Sequence, residues 1–341
     1  IESKMTVLQE KIKAVNSCSS NQDFRNAFAL LFECIDYTNI VSKQPAEIAK
    51  IASLLYLKSN NYGLAKKLYQ YILKSAKKRS NNQLMAKALD GLAHVSYYEG
   101  NYRKSLDYLN EAAKYVNDDV WLRHNYGNAA RIYIKVGDFT RAIDYLKNGI
   151  KLSLKTKCKS SLLRNQLSEV LALALSCDSK NSIDNLKNID VDYLKENYPF
   201  DHCVYYEYKG HIEFLHAQNT GDESYIKKAL KTLHHALKLA VDFTVDGTCE
   251  GQTCRLLAEV YLHQEDYEKA REYATRAFRI SRLINERYEV GVTYWIFGRL
   301  AEIDNDPKRA EFNYHMSKKI LTDIGAKYEL ERLHDTPVAV E

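Results

Sequence analysis

The chain has 341 residues, 45% of them hydrophobic and 27% charged, with only 4 prolines and 13 glycines. Breakers that scarce suit long helices joined by short turns, and exclude a β-sandwich, a barrel or a disordered chain. The net charge of +5 arises from 49 Lys and Arg against 44 Asp and Glu mixed along the whole length. Solvated helix faces account for that mixture, and direct nucleic-acid binding is disfavoured.

Residues 1–44 read as two helices, with apolar positions Val7, Leu8, Ile12 and Val15, then Phe24, Phe28, Leu31 and Ile35. They form an N-terminal cap or a degenerate first repeat. From 45 to 333 one phrase recurs: a small residue, an aromatic, a turn, a second aromatic, then another small residue three positions on. It runs from Ala93 through Tyr97, Gly100 and Tyr102 to Ser105. It returns from Ala130 through Tyr133, Gly137 and Phe139 to Ala142, and from Ala258 through Tyr261, Asp266 and Tyr267 to Ala270. Weaker copies span Ser53 to Ala65 and Gly298 to Ala310, and a stretched copy spans Tyr206 to Ala229.

The small residues after each turn (Ala65, Ser105, Ala142, Ala229, Ala270, Ala310) recur about 40 residues apart, with one gap of double length. Into that gap falls a weak unit, residues 160–201, with a good first helix and a poor second one that ends before Pro199. Small side chains at those places let two antiparallel helices approach closely. Each second helix is amphipathic at spacings of three and four, as in Phe139, Ala142, Ile143, Leu146 and Ile150. Residues 334–341 read as a tail or linker.

These residues resemble the tetratricopeptide repeat family, from about Pro45 to about Leu333, with the Gly137-Asp138-Phe139 and Glu265-Asp266-Tyr267 turns as the strongest marks. The resemblance implies an all-α fold: a right-handed superhelical solenoid of about seven antiparallel helix pairs. The spacing exceeds the family's usual 34 residues, so longer second helices are expected. The stretch from Arg287 through Phe297 and Arg299 to Leu330 resembles the last repeats and closing helix of sensor arrays in large bacterial signalling and transcription regulators. Nothing in the chain resembles their ATPase or DNA-binding parts.

Motifs for catalysis are absent: no Gly-rich phosphate loop, GxGxxG, HExxH or GxSxG. His211 and His216 stand five apart, on different helix faces, and Cys249 and Cys254 have no second pair, so no metal or cofactor is expected. Seven cysteines without a CxxC pair read as free thiols in a reducing cytosol. The apolar runs are too short to span a bilayer.

The chemistry left is recognition. In stacked helix pairs the first helices line a concave groove, which commonly takes extended peptides or partner helices. The register points Tyr97, Asn128, Arg131, Arg164, Asn165, His211, Arg255, Glu259, Trp295 and Arg299 inward. Asparagine offers a paired donor and acceptor to a peptide backbone, and arginine a fork for a carboxylate. The competing reading of each residue is a solvated side chain or an intramolecular ion pair. For Asn128 it is an amide that bonds a neighbouring helix and sets the geometry of the unit. The expected function is therefore a non-enzymatic, cytoplasmic protein- or peptide-binding module, the sensing part of a bacterial regulator. The alternative is a static scaffold that assembles partner proteins; a homodimer is compatible with either.

Overall fold

A computed structural model describes residues 61–243 and 247–335, together with helical stretches at 10–11, 13–15, 26–27 and 29–30. The rest of the expected N-terminal cap, the Ser53–Tyr56 part of the first weak copy and the tail after Asp335 lie outside the described residues. From Tyr62 onward the described residues form helices and turns, with no strand. They divide into two compact units, Ile1–Asn117 and Asp118–Glu341.

In the first unit, α1 (Tyr62–Lys78) precedes the antiparallel pair α2 (Asn82–Tyr98) and α3 (Tyr102–Tyr115). The second unit begins with the pair α4 (Asp119–Val136) and α5 (Phe139–Lys155). It continues with α6 (Lys159–Leu175), whose partner is split into α7 (Ser179–Leu186) and α8 (Val191–Asn197). Three further pairs follow: α9 (Pro199–Thr220) with α10 (Ser224–Phe243), α11 (Thr248–His263) with α12 (Tyr267–Leu283), and α13 (Arg287–Ile303) with α14 (Pro307–Asp323). The short α15 (Lys327–His334) closes the unit.

Five of the six described turns inside pairs use the same local chemistry. One residue takes positive φ, and an Asp or Asn follows that caps the next helix. Gly100 (φ 77°), Gly137 (φ 86°), Cys177 (φ 68°), Glu265 (φ 61°) and Asn305 (φ 56°) hold the first position. Asn101, Asp138, Asp178, Asp266 and Asp306 hold the second, each accepting the backbone N–H three residues on, as Asp138 accepts that of Arg141 at 3.1 Å. At Gly137 a side chain is excluded twice: by the left-handed backbone, and by Tyr328, whose Cβ lies 3.0 Å from where a Cβ would stand.

Four residues past each of these caps sits the small residue, pressed on the preceding helix, and Ala229 holds the matching place in α10. Ser105, Ala142, Ala229 and Ala270 are essentially inaccessible. Ser105 Oγ donates to the Ala93 carbonyl at 2.6 Å, the very contact the spacing predicts. The double-length gap also has its small residue. Ser182 is fully buried and donates to the Val170 carbonyl at 2.5 Å, twelve residues back as in the Ser105 bond. So the repeat runs unbroken through 160–201, and Leu186, Ile189 and Leu194 pack into the same core as Leu146 and Leu167. What distinguishes this unit is its split second helix: α7 has 8 residues and α8 has 7, where α5 has 17.

The close contact leaves no room for a larger side chain. Ala142→Leu is expected to overpack it and to destabilise the fold by about 1–3 kcal/mol. The exposed Lys151→Ala is expected to stay within about 0.5 kcal/mol. Urea midpoints of the two variants check this; equal shifts would contradict the register.

Candidate functional site

In the second unit the first helices α4, α6, α9, α11 and α13 lie side by side, and α15 packs on α14 and reaches back to α4. The Tyr328 ring of α15 meets Phe139 edge-on, centroids 5.1 Å apart. The inner wall formed by these helices therefore carries one of the chain's own helices, which touches both the first and the last of them.

Charged side chains gather where α15 arrives. Arg255 of α11 donates to both carboxylate oxygens of Glu289 on α13, at 2.7 and 3.2 Å, and to Glu259 at 3.0 Å. Arg332 of α15 donates to Glu259 at 2.7 and 3.2 Å and to Glu329 at 2.7 Å. Tyr288 donates its hydroxyl to Glu329 at 2.7 Å. The Lys135 ammonium of α4 stands 3.9 Å from the centre of the Tyr288 ring. Arg255, Glu259, Glu289 and Glu329 are all under 10% exposed, so these pairs are desolvated and stand or fall together.

Burial shapes the proton affinities of this wall. It opposes ionisation of Glu259, yet Arg332 and Arg255 outweigh it and hold that carboxyl down at about 2. Glu289 is lowered in the same way by Arg255. Glu207 of α9 has no such partner: burial, then Cys203 and Glu289, push its carboxyl well above the carboxylate range. Its Oε2 is buried without a hydrogen bond. One turn along, His211 is lowered to about 3 by burial and then by the Arg255 charge, so it is neutral.

Of the residues the sequence points inward, His211, Arg255 and Glu259 meet in this cluster. Arg255 and Glu259 are spent on internal ion pairs, as the competing reading had it. Trp295 is fixed on α15 through its Nε1, which donates to the Leu333 carbonyl at 3.0 Å. Arg299 is exposed, 3.8 Å from Glu302 and over the Trp295 ring. Arg164 is 48% exposed and donates to Asp201 at 3.0 Å. Arg131 donates to the Asn128 side chain, both half-buried on α4.

One position departs from the inward reading, and one lies in the first unit. Tyr97 belongs to the first unit, its ring packed against Tyr98 and Tyr102. Asn165 turns into the joint between helices, where its amide donates to the Arg123 carbonyl at 3.3 Å and to Ser153 at 3.4 Å. A Cβ on Gly127 or Gly149 would collide with that amide. The geometry-setting role considered for Asn128 is thus played by Asn165, because two glycines on α4 and α5 open the space that an amide fills. Glu207, Glu289, Glu329, Tyr288 and Arg332 complete the wall. The sequence register also points Glu207 inward, four residues before His211 on one helix face. No sequence signal existed for Arg332, whose partner Glu259 is 73 residues away.

A tetratricopeptide repeat family profile matches residues 124–156 and 252–282. These are α4–α5 and α11–α12, the two pairs whose turns carry the clearest phrase. The chain carries tetratricopeptide repeats. The repeat array superposes on NprR in complex with its cognate peptide NprX with a TM-score of 0.65 at 12% identity, covering 96% of each chain. A Rap protein complexed with competence and sporulation factor gives 0.63 at 11% identity, over 94% of this chain and 99% of that one. A signal-transduction ATPase with numerous domains from Pyrococcus horikoshii, a protein with a tetratricopeptide repeat sensor, gives 0.52 at 18% identity, over 90% of this chain and 52% of that one. Such likeness establishes the repeat fold. No curated protein sequence matches the chain. No described helix of the array is long and apolar enough to cross a membrane.

The cluster makes two outcomes measurable. Arg255→Ala strands the Glu289 and Glu259 carboxylates in the interior and is expected to destabilise by about 3–5 kcal/mol, read from urea unfolding. His211 binds its proton less readily folded than unfolded. Its contribution to stability is therefore complete above its ordinary value of 6.5 and lost as pH falls toward 3. His211→Gln is expected to flatten the stability–pH curve across that window, and an unchanged curve would contradict a neutral His211.

Proposed function

We propose that the inner wall of the second unit binds a peptide or an extended protein segment, and that the chain is the sensing part of a bacterial regulator without catalytic activity of its own. The observation that carries this reading is Glu207: a buried carboxyl, one oxygen without a partner, in the middle of a polar wall beside the half-buried His211. A buried polar atom left unmatched costs stability. A ligand that brings a hydrogen-bond partner recovers it. Along the same wall Asn128, Arg131 and Arg164 offer an amide and two forked cations to a backbone and a carboxylate.

NprR and the Rap protein, which share the fold, were each solved with a peptide or factor bound, which supports a peptide as the ligand class here. The buried thiols Cys203, Cys249 and Cys254 form no disulfide, in keeping with action in a reducing cytoplasm. Small rotations at many helix joints let such an array shift between shapes when the wall is occupied. A static scaffold would keep one curvature.

A pool of short synthetic peptides passed over the immobilised chain tests the reading. Wild type is expected to enrich particular peptides, and the Arg131→Ala, Arg164→Ala double variant to lose them. A desolvated arginine–carboxylate contact at Arg131 is worth about 2–5 kcal/mol of affinity. The half-exposed Arg164, already paired with Asp201, is worth about 1 kcal/mol or less. The exposed Lys147→Ala serves as control. Equal enrichment by wild type and the double variant would remove these two arginines from the site. No enrichment at all would leave the scaffold as the better reading. Small-angle scattering with an enriched peptide then separates a sensor, whose curvature changes, from a scaffold, whose curvature does not.

A further inference from the structure

The split second helix has a consequence on the other side of α9. Where α5, α12 and α14 run 17 residues and α10 runs 20, α7 ends after 8 at Leu186. A cleft of about 530 Å³ opens there, between the end of α7, α9 and α10. On α9 it is lined by Tyr205, Lys209 and Glu213, spaced four apart along one face. Glu207 and His211 follow Tyr205 and Lys209 by two residues each, which is roughly 200° around the helix. The cleft and the inner wall therefore lie on opposite sides of α9.

Its charge is mostly positive. The floor is apolar and aromatic, from Ile183 and Leu186 with Tyr205 and Tyr206. Four lysines rim it: Lys187 from the end of α7, Lys209 from α9, and Lys228 and Lys231 one turn apart on α10. Lys209 and Lys231 join no ion pair among the described residues. Lys228 lies over the Tyr225 ring at 4.1 Å, and Lys187 has a solvent-exposed pair 3.6 Å from Asp184. The only carboxyl in the lining is Glu213, which accepts a hydrogen bond from Thr232 at 2.7 Å. Burial raises its proton affinity, against the pull of Thr232, Lys209 and Lys228, and one carboxyl stands against four lysines.

We propose that this cleft is a second binding site, separate from the inner wall, for an acidic peptide segment that alternates carboxylates with large apolar side chains. The carboxylates reach the four rim lysines, and an apolar side chain settles on the floor between Leu186 and Tyr206. Charge complementarity selects the acidic partner. The apolar floor selects a peptide over a nucleic acid, which needs a continuous basic track and open stacking faces instead. The short α7 leaves the floor uncovered, so the same break in the repeat that splits the second helix creates the site.

The test uses the full chain and a fluorescein-labelled synthetic peptide of Glu with interspersed Phe and Leu. Wild type is expected to bind it saturably in fluorescence polarisation, more weakly as salt is raised. The Lys209→Glu, Lys231→Glu variant is expected to bind at least tenfold more weakly with an unchanged circular dichroism spectrum, and Lys147→Ala to bind as wild type does. Should the reversal disturb folding, Lys209→Ala with Lys231→Ala is expected to weaken binding in the same direction. No saturable binding by wild type overturns the proposal, and so does equal affinity for a peptide with Gln in place of Glu. A single-stranded oligonucleotide that binds more tightly than the peptide overturns it in favour of nucleic acid.

Discussion

The fold depends on one repeated contact: a small side chain early in each second helix pressed against the backbone of the helix before it. Where it is alanine, as at Ala142 and Ala270, the two helices touch with nothing between them. Where it is serine, at Ser105 and Ser182, the hydroxyl answers a carbonyl across the same gap. The turn before it is set by a left-handed residue and an Asp or Asn cap, which fixes the helix start three residues ahead of the contact. Everything else in the array follows from this register. The aromatic after the cap wedges between neighbouring units, and the first helices turn their polar faces to a common wall.

At α15 the wall meets a short helix outside the repeated pairs. Here α15 supplies more than cover, because Arg332 reaches across to Glu259 while Tyr288 and Glu329 bond beneath it. The pairs are desolvated and geometrically strict. They fix the placement of α15 against α11 and α13 more narrowly than apolar packing would. They also leave Glu207 and His211, one helix further in, without charged partners of their own. The wall is thus saturated where α15 arrives and keeps one unpartnered carboxyl oxygen, of Glu207 on α9, where recognition is proposed.

Irregularity in the repeat is concentrated in residues 160–201. The close contact survives there through Ser182, so the core is continuous. The second helix breaks because Asp190 caps a new start and Pro199 forbids continuation past Tyr198. Helices of 8 and 7 residues cover less of α9 than a full-length partner does. Along that stretch Tyr205 is buried and Tyr206 and Lys209 are half-buried. A local economy in helix length thereby becomes a basic, aromatic cleft.

The sequence by itself determined the helical class, the pairing of helices and the turn chemistry. All of these are local: a capping residue, a positive φ and a small side chain act within about a dozen positions, and a linear pattern displays them. It also placed His211, Arg255 and Glu259 on the inner wall, because helical period fixes which face a residue shares. Tertiary structure alone decided what those residues do. Arg255 and Glu259 are paired rather than free because Glu289 and Arg332 arrive from 34 and 73 residues away. Asn165 serves a helix joint because Gly127 and Gly149, on two other helices, open a gap for its amide. Ser182 was legible in principle, forty positions after Ala142, but serine in a polar stretch carries no hydrophobic signal, and only its burial identifies it. Pairing, desolvation and cavity shape depend on which side chains meet across distant repeats, and no spacing along a single chain encodes that meeting.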